Sequence, residues 1–264
     1  MAKLCPLFSG SSGNCYYIGS GEEGILIDVG RSAKQVTARL EQCGISLDAV
    51  KAVFITHEHA DHVSGLRVFA SRYHLPVYAS SGTLSALGGM GCLSEKFQAS
   101  AIESSGVECA GMRILPFPLS HDSAECVGYR ILTQDGRTAA LSTDLGYLSE
   151  EVREGLNGAD FVVLESNHDI GMLENGPYPY PLKKRILSAT GHLSNADCAA
   201  ELCDLVQHGT TRFLLAHLSA ENNTPELAYQ TSLCSLNLSG FKQDRDFQLF
   251  VAPRENVSGA SVFF

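Results

Sequence analysis

The densest chemistry in the chain is Thr56-His57-Glu58-His59-Ala60-Asp61-His62, which sets three imidazoles and carboxylates within a few residues. Neutral imidazole and carboxylate are ligands for zinc, manganese or iron, and a loop lets them converge on one point. The segment follows the apolar run VKAVFIT and precedes a helical pattern, so neither periodicity explains its spacing. On an extended loop His57 and His59, two apart, can face one ion. Asp61 and His62, adjacent at a helix start, can point to a second. A lone HxH is often an incidental polar loop, whereas HxHxDH after an apolar strand reads as a ligand set.

Two ions need further ligands. His121 in PFPLSHDSAE, Asp144 in AALSTDLGY and His217 in FLLAHLS each stand just past an apolar strand. Each alone has a structural alternative: a loop histidine, a turn or N-cap aspartate, a strand-end histidine. Together they are what a site built on strand C-termini requires.

The elements that must carry these residues can be read from pattern. Short β-rich runs (LFSG, CYYIG, GILIDVG) separated by Gly/Ser turns open the chain. Residues 32–43 predict an amphipathic helix with Ser32 as N-cap, ending near Gly44. VKAVFIT and LPVYAS read as strands and residues 63–74 as a helix between them. The second half repeats the rhythm, with strands near 112–119, 126–133 and 137–143, a helix near 149–156 and the apolar strand ADFVVLES. LSNADCAAELCDLVQH and TPELAYQTSLCSL predict late helices, with strand TRFLLA between them. Two successive strand-and-helix halves predict an α/β protein, a four-layer αββα sandwich. No linker, repeat or low-complexity run divides the chain, so one domain over residues 1–264 is expected.

The chain has 264 residues, 44% of them hydrophobic and 18% charged, a globular composition. The opening MAKLCPLFSG lacks the apolar core of a secretory signal and no run is long enough to span a bilayer, so a cytoplasmic location with no membrane partner is expected. Nine scattered cysteines without a CxxC pair read as buried reduced thiols. A formal net charge of -10 argues against a broad phosphate-neutralising face. Two bound dications would, however, add about four positive charges where a phosphate must sit, and Lys183-Lys184-Arg185 and Arg31/Lys34/Arg39 are local basic clusters.

The ordered motifs HxHxDH, a lone His, an Asp after a strand and a late His resemble the metallo-β-lactamase superfamily over residues 28 to 217. The resemblance implies one metal held by His57, His59 and His121, a second by Asp61, His62 and His217, and Asp144 bridging. Asp28 in GILIDVG matches the family's buried aspartate that orients the metal loop. His59 replaces the carboxylate of the oxygen-reducing di-iron branch, and Asp144 with no Cys ligand departs from the antibiotic-hydrolysing branch. LFSGSSGN, LESNHDIGML, PYPYPLKKRILS, GHLSN and LAHLSAENN look like the YycJ/WalJ (VicX) family. That likeness implies a manganese- or zinc-dependent 5′-to-3′ DNA exonuclease acting on duplex ends. Two alternatives stay open: a small-molecule phosphodiester or thioester hydrolase of the same fold, and a non-catalytic, metal-stabilised partner protein.

For the chemistry, Asp61 is placed to orient or accept a proton from the attacking water, and His192 in GHLSN either resembles the proton donor of related tRNA-processing nucleases or is an ordinary pre-helix histidine. Asn167 and His168 either reach the cleft or close a turn. Asn14, in the Gly/Ser loop, either helps that loop offer N–H groups to phosphate or belongs to an ordinary strand turn. Lys183, Lys184 and Arg185 either track a DNA backbone or form a solvated helix face. Tyr178 and Tyr180, between prolines, either stack a terminal base or pack on the domain. His74 and His208 read as helix-end residues.

Overall fold

The computed structural model describes residues 2–264. The first half runs β1 (Ala2–Phe8), β2 (Cys15–Ser20), β3 (Glu23–Ile27), α1 (Ala33–Gln42), β4 (Val50–Phe54), α2 (Ala60–Val63), α3 (Leu66–Tyr73), β5 (Val77–Ala79), α4 (Ser81–Gly89) and β6 (Ala99–Ala101). The second runs β7 (Val107–Cys109), β8 (Met112–Pro118), β9 (Val127–Thr133), β10 (Thr138–Ser142), α5 (Glu150–Leu156), β11 (Phe161–Glu165), α6 (Ile170–Asn175), α7 (Tyr180–Ile186), α8 (Asn195–Gln207), β12 (Arg212–Ala216), α9 (Pro225–Leu238), β13 (Gln248–Val251) and β14 (Val262–Phe263).

Each half builds one sheet, except that the C-terminal β14 joins the first. The orders are β14-β1-β2-β3-β4-β5-β6 and β13-β12-β11-β10-β9-β8-β7. In both, an antiparallel meander leads into a parallel set: β3 to β6 in the first sheet and β10 to β13 in the second. The repeated rhythm of the sequence is therefore a repeated sheet topology.

Period-2 alternation assigns the faces. Tyr16, Ile18, Ile25, Ile27 and Phe54 of one sheet meet Tyr129, Leu141, Phe161, Val163 and Leu214 of the other in a core between the sheets. The alternate residues Tyr17, Leu26 and Val53 pack outward with Val36 and Leu40 of α1 and Phe69 of α3. On the far side Val162, Leu164, Phe213 and Leu215 pack with Val152 of α5, Leu202 of α8 and Leu236 of α9. Three cores between four layers explain why the parallel strands are apolar on both faces.

Local chemistry sets the helix starts. Ser32, Ser80, Ser149, Asp169, Ser194 and Thr224 each accept a bond from the backbone N–H three residues on, worth about 1 kcal/mol each. The helix expected over 63–74 instead starts at Ala60 and breaks at Ser64–Gly65. Gly65 donates to Val29 O at 2.9 Å, and a Cβ there would lie 1.9 Å from Arg31 O, so this backbone packs against backbone. The sequence reading also omitted α4, α6, α7 and the short strands β6, β7, β13 and β14. No helix among the described residues is long and apolar enough to cross a membrane.

Candidate metal centre

The site lies where the parallel strands end. Asp28 follows β3, His57 to His62 fill the turn from β4 into α2, His121 follows β8, Asp144 follows β10, Glu165 closes β11 and His217 follows β12. Asp28, Asp144 and His217 have φ of 62°, 64° and 55°. This left-handed region is costly for non-glycine residues and persists where surroundings over-determine it. Here it turns Asp144 and His217 off their strands into the cleft and Asp28 onto the histidine turn behind it.

The seven anticipated ligand residues converge. His57, His59 and His121 bring one ligand atom each within 4.8 Å of one another, as do Asp61, His62 and His217. His57, His62 and Asp144 form a third such group, which joins the two trios. His59 Nδ1 and His121 Nε2 are 3.3 Å apart, and Asp144 Oδ2 is 3.2 Å from His62 Nε2. Asp61 Oδ2 lies 3.7 Å from His62 Nε2 and 3.6 Å from His217 Nε2.

The partners behind the rings fix which nitrogen faces inward. His62 Nδ1 donates to Asp28 Oδ2 at 2.7 Å. His57 Nδ1 lies 3.1 Å from Thr56 Oγ1, which donates in turn to Asp28 Oδ2 at 2.9 Å, and the Thr56 N–H donates to Asp28 Oδ1. One buried carboxylate thus sets two histidines. His121 Nδ1 is held by Gly191 O at 3.1 Å and His217 Nδ1 by Glu165 Oε1 at 2.7 Å. His57 Nε2 and His217 Nε2 are left buried with no hydrogen-bond partner. Orphaned buried nitrogens aimed at one another's neighbourhood are costly as they stand. A divalent cation satisfies them, and the donor set of imidazoles and carboxylates suits one.

Electrostatics agree. Burial alone would discharge His62, but the carboxylates of Asp144 and Asp28 outweigh it and raise its pKa to about 10. Burial opposes the charge on His217 as well, yet the Asp144 carboxylate, the nearby Asp61 carboxylate and the hydrogen bond to Glu165 hold its pKa well above the usual value. Burial, then neighbouring His62, pushes His57 well below it. Without metal the site binds protons in place of cations.

Glu165 was not singled out as a site residue in the sequence. It is fully buried; Oε2 accepts from the N–H groups of Leu145 and Leu193 at 3.0 and 3.1 Å, and Oε1 holds both His217 and His192, the latter at 2.9 Å. Burial would raise its pKa, but the charge and hydrogen bond of His192 and the bond from His217 bring it to about 2. The available signal was an acidic residue ending the apolar run FVVLE, the same pattern that marks Asp28 in GILID. Glu58 was also passed over: its Oε1 accepts from Ala124 N–H at 2.8 Å and ties the His59 loop to the His121 loop.

A cleft of about 390 Å³ opens over this floor, lined by the loop residues Ser11, Asn167 and Ser219 and by Tyr178, Leu182, Arg185 and Ile186 of α7 and the turn before it. His192, 15% exposed, faces it. The remaining anticipated contacts divide. Asn167 and Arg185 line the cleft, Arg185 with two bonds to Asp122 at 2.5 and 2.8 Å. Lys183 and Lys184 do not line it, and Lys183 Nζ donates to Glu174 O. Asn14 is buried behind the ligands, with Nδ2 3.0 Å from His62 Nε2 and Oδ1 accepting from Gly10 N–H. His168 is buried outside the cleft, both ring nitrogens unpartnered.

Two sheets with a His/Asp cluster at their strand ends define a class, and the match to the Beta-lactamase superfamily domain over residues 24–218 agrees with it. The chain is 38% identical to exodeoxyribonuclease YycJ of Bacillus anthracis over 244 residues, 92% of each protein. It is 35% identical to exodeoxyribonuclease WalJ of Streptococcus pneumoniae over 251 residues, 94% of this chain and 93% of that one. It belongs to the YycJ/WalJ family of the β-lactamase superfamily. Among solved structures, Zn2+-bound PqqB from Methylobacterium extorquens superposes with a TM-score of 0.72 over all of both chains at 16% identity, a likeness of fold.

Proposed function

We propose that the chain is a two-metal exodeoxyribonuclease that hydrolyses phosphodiester bonds from the 5′ ends of duplex DNA. The convergence of two ligand trios through Asp144 carries this reading, and the near full-length likeness to proteins named exodeoxyribonucleases supports it. His57, His59 and His121 would hold one ion, Asp61, His62 and His217 the other, with Asp144 between them and manganese or zinc as the metal. When bound, such a pair supplies a hydroxide at neutral pH and polarises a phosphoryl oxygen.

The chain's own groups do the rest. Asp61, a quarter exposed at the cleft, would orient the attacking water or accept its proton. Ser11, Asn167 and Ser219 offer neutral donors to the substrate's sugar-phosphate. Glu165 favours the protonated form of His192: burial works against that charge, but the adjacent Glu165 and Asp144 carboxylates raise its pKa above the usual value. With Nδ1 committed to Glu165, the other ring nitrogen of His192 donates to the departing 3′ oxygen.

A duplex labelled at its 5′ end and incubated with manganese should release 5′ mononucleotides, and His59→Ala should abolish release. Hydrolysis of bis(p-nitrophenyl) phosphate alone would replace this reading with a small-molecule phosphodiesterase, which the compact cleft and the net charge of -10 would favour. A purified chain unable to take up any metal would point to a non-catalytic partner. His192→Ala should lower turnover with metal content unchanged.

A further inference from the structure

The wall of the cleft that α7 and the turn before it supply has a composition that the phosphodiester chemistry does not use. Tyr178, Leu182 and Ile186 are spaced four apart and all line the cleft. Leu182 and Ile186 share one face of α7, and Tyr178 continues that stripe into the preceding turn. Tyr178 stands between Pro177 and Pro179. Proline fixes its own φ and restricts the residue before it, so the backbone that carries the ring is constrained before any ligand arrives. Tyr180, two residues on, is 77% exposed and does not line the cleft. The motif therefore assigns one tyrosine inward and one outward.

The cation of this wall is already matched. Arg185 meets Asp122 through two hydrogen bonds, while Lys183 and Lys184 lie outside the cleft lining. A phosphate group gains little here, and the metal floor is where negative charge is drawn. An aromatic ring with two branched aliphatic side chains, flanked by a fixed guanidinium plane, matches the flat apolar face of a purine or pyrimidine. The cleft volume of about 390 Å³ is near the small end of the range for ligand pockets, roughly 300–1,000 Å³, and accommodates one nucleotide unit, not a stacked run.

We propose that Tyr178, with Leu182 and Ile186, forms a stacking subsite for the unstacked nucleobase of the nucleotide whose 5′ phosphate is cleaved, while that phosphate occupies the metal floor. The inference rests on the phosphodiesterase reading of that floor. Stacking is sequence-tolerant because every base has a π-face, so the subsite registers the presence of a base and not its identity.

The test compares equilibrium binding of thymidine 5′-monophosphate and of 2-deoxyribose 5-phosphate to the metal-loaded protein, by calorimetry. The wild type should bind the nucleotide about tenfold tighter than the base-less sugar phosphate. Tyr178→Ala should abolish that ratio while leaving sugar-phosphate affinity and metal content as they were, and Tyr178→Phe should keep it. Equal wild-type affinities for the two ligands would overturn the proposal, as would a parallel loss of both in Tyr178→Ala or a Tyr178→Phe that behaves like Ala. Digestion of labelled duplex, run alongside, tells the two failures apart. A wild type that degrades DNA yet shows no base-dependent ratio refutes the stacking wall alone. One that shows the ratio but releases no nucleotides refutes the nuclease.

Discussion

The outer carboxylates are the residues with most leverage on the site. Asp28 braces His62 directly and His57 through Thr56, and Glu165 braces His217 and His192. Asp28→Asn is a clean probe because asparagine tolerates the left-handed backbone at this position. It should lower metal affinity by about 10- to 100-fold, read by competition with a chelating dye. Glu165→Gln should lower metal affinity comparably and also reduce turnover at saturating metal, since it frees His192. An unchanged turnover there would remove the Glu165–His192 pair from the chemistry.

Protons and metal compete for the same nitrogens. His62 in the metal-free fold holds its proton up to about pH 10, against about 6.5 for an unperturbed histidine. The raised value means this charge stabilises the metal-free fold fully below about pH 6.5 and ceases to as pH rises through about 10. A cation must displace the proton, so apparent metal affinity should rise about tenfold per pH unit for each proton released between pH 7 and 9. Calorimetric titrations in two buffers of different ionisation enthalpy count those protons. Identical heats in both would contradict the site's described electrostatics.

At the level of elements, the HxHxDH turn is held by backbone as much as by side chains. Gly30 donates to Asn14 O at 2.8 Å, Asn14 donates to Asp61 O at 2.7 Å, and a Cβ on Gly30 would fall 1.8 Å from Asp61 O. Gly30→Ala must push the turn away. It should destabilise the protein by roughly 1–3 kcal/mol and reduce metal content, whereas Gly89→Ala, with no atom within 4 Å of the new Cβ, should leave metal content alone. Denaturant midpoints and metal analysis decide between those outcomes.

The same elements show what the sequence discloses and what it hides. Strands such as VKAVFIT and ADFVVLES are legible because burial on both faces writes them as apolar runs, and the ligands are legible because polar residues interrupt those runs at their ends. Ser32 and Gly44 mark the bounds of α1 because capping is local chemistry. α4, with its Gly/Ser-rich sequence, and α7, entered through Pro-Tyr-Pro-Tyr, carry weak local signals and depend on tertiary packing. Glu165 was hidden differently. Its role lies in partners 27 and 52 residues away in sequence, and no periodicity reports such a pairing.

For the molecule as a whole, net charge and local charge pull in opposite directions. The formal charge of -10 repels a polyanion at long range, so the proposed nuclease would engage DNA only in the neighbourhood of the cleft. Lys183 and Lys184 on α7 lie beside it in sequence, next to the cleft-lining Leu182 and Arg185. If they meet phosphates beyond the terminal nucleotide, neutralising both should lower the log–log salt slope of duplex binding by about 2, at about 0.9 per phosphate contact. Turnover on a minimal phosphodiester should not change. Fluorescence anisotropy across a salt series tests this, and an unaltered slope would assign both lysines to solvent.

Each sheet comes from one continuous stretch of chain apart from β14, and the crossing between them includes the exposed residues Glu103, Ser104 and Ser105. The binding groups are divided by that crossing. His57, His59, Asp61 and His62 come before it; His121, Asp144 and His217 come after. A cut in this turn would give two fragments, each holding an incomplete coordination set, so neither should retain tight metal binding alone. Mixed together, they should recover it only as the intersheet core re-forms, making cation uptake a direct signal that the two halves have found each other.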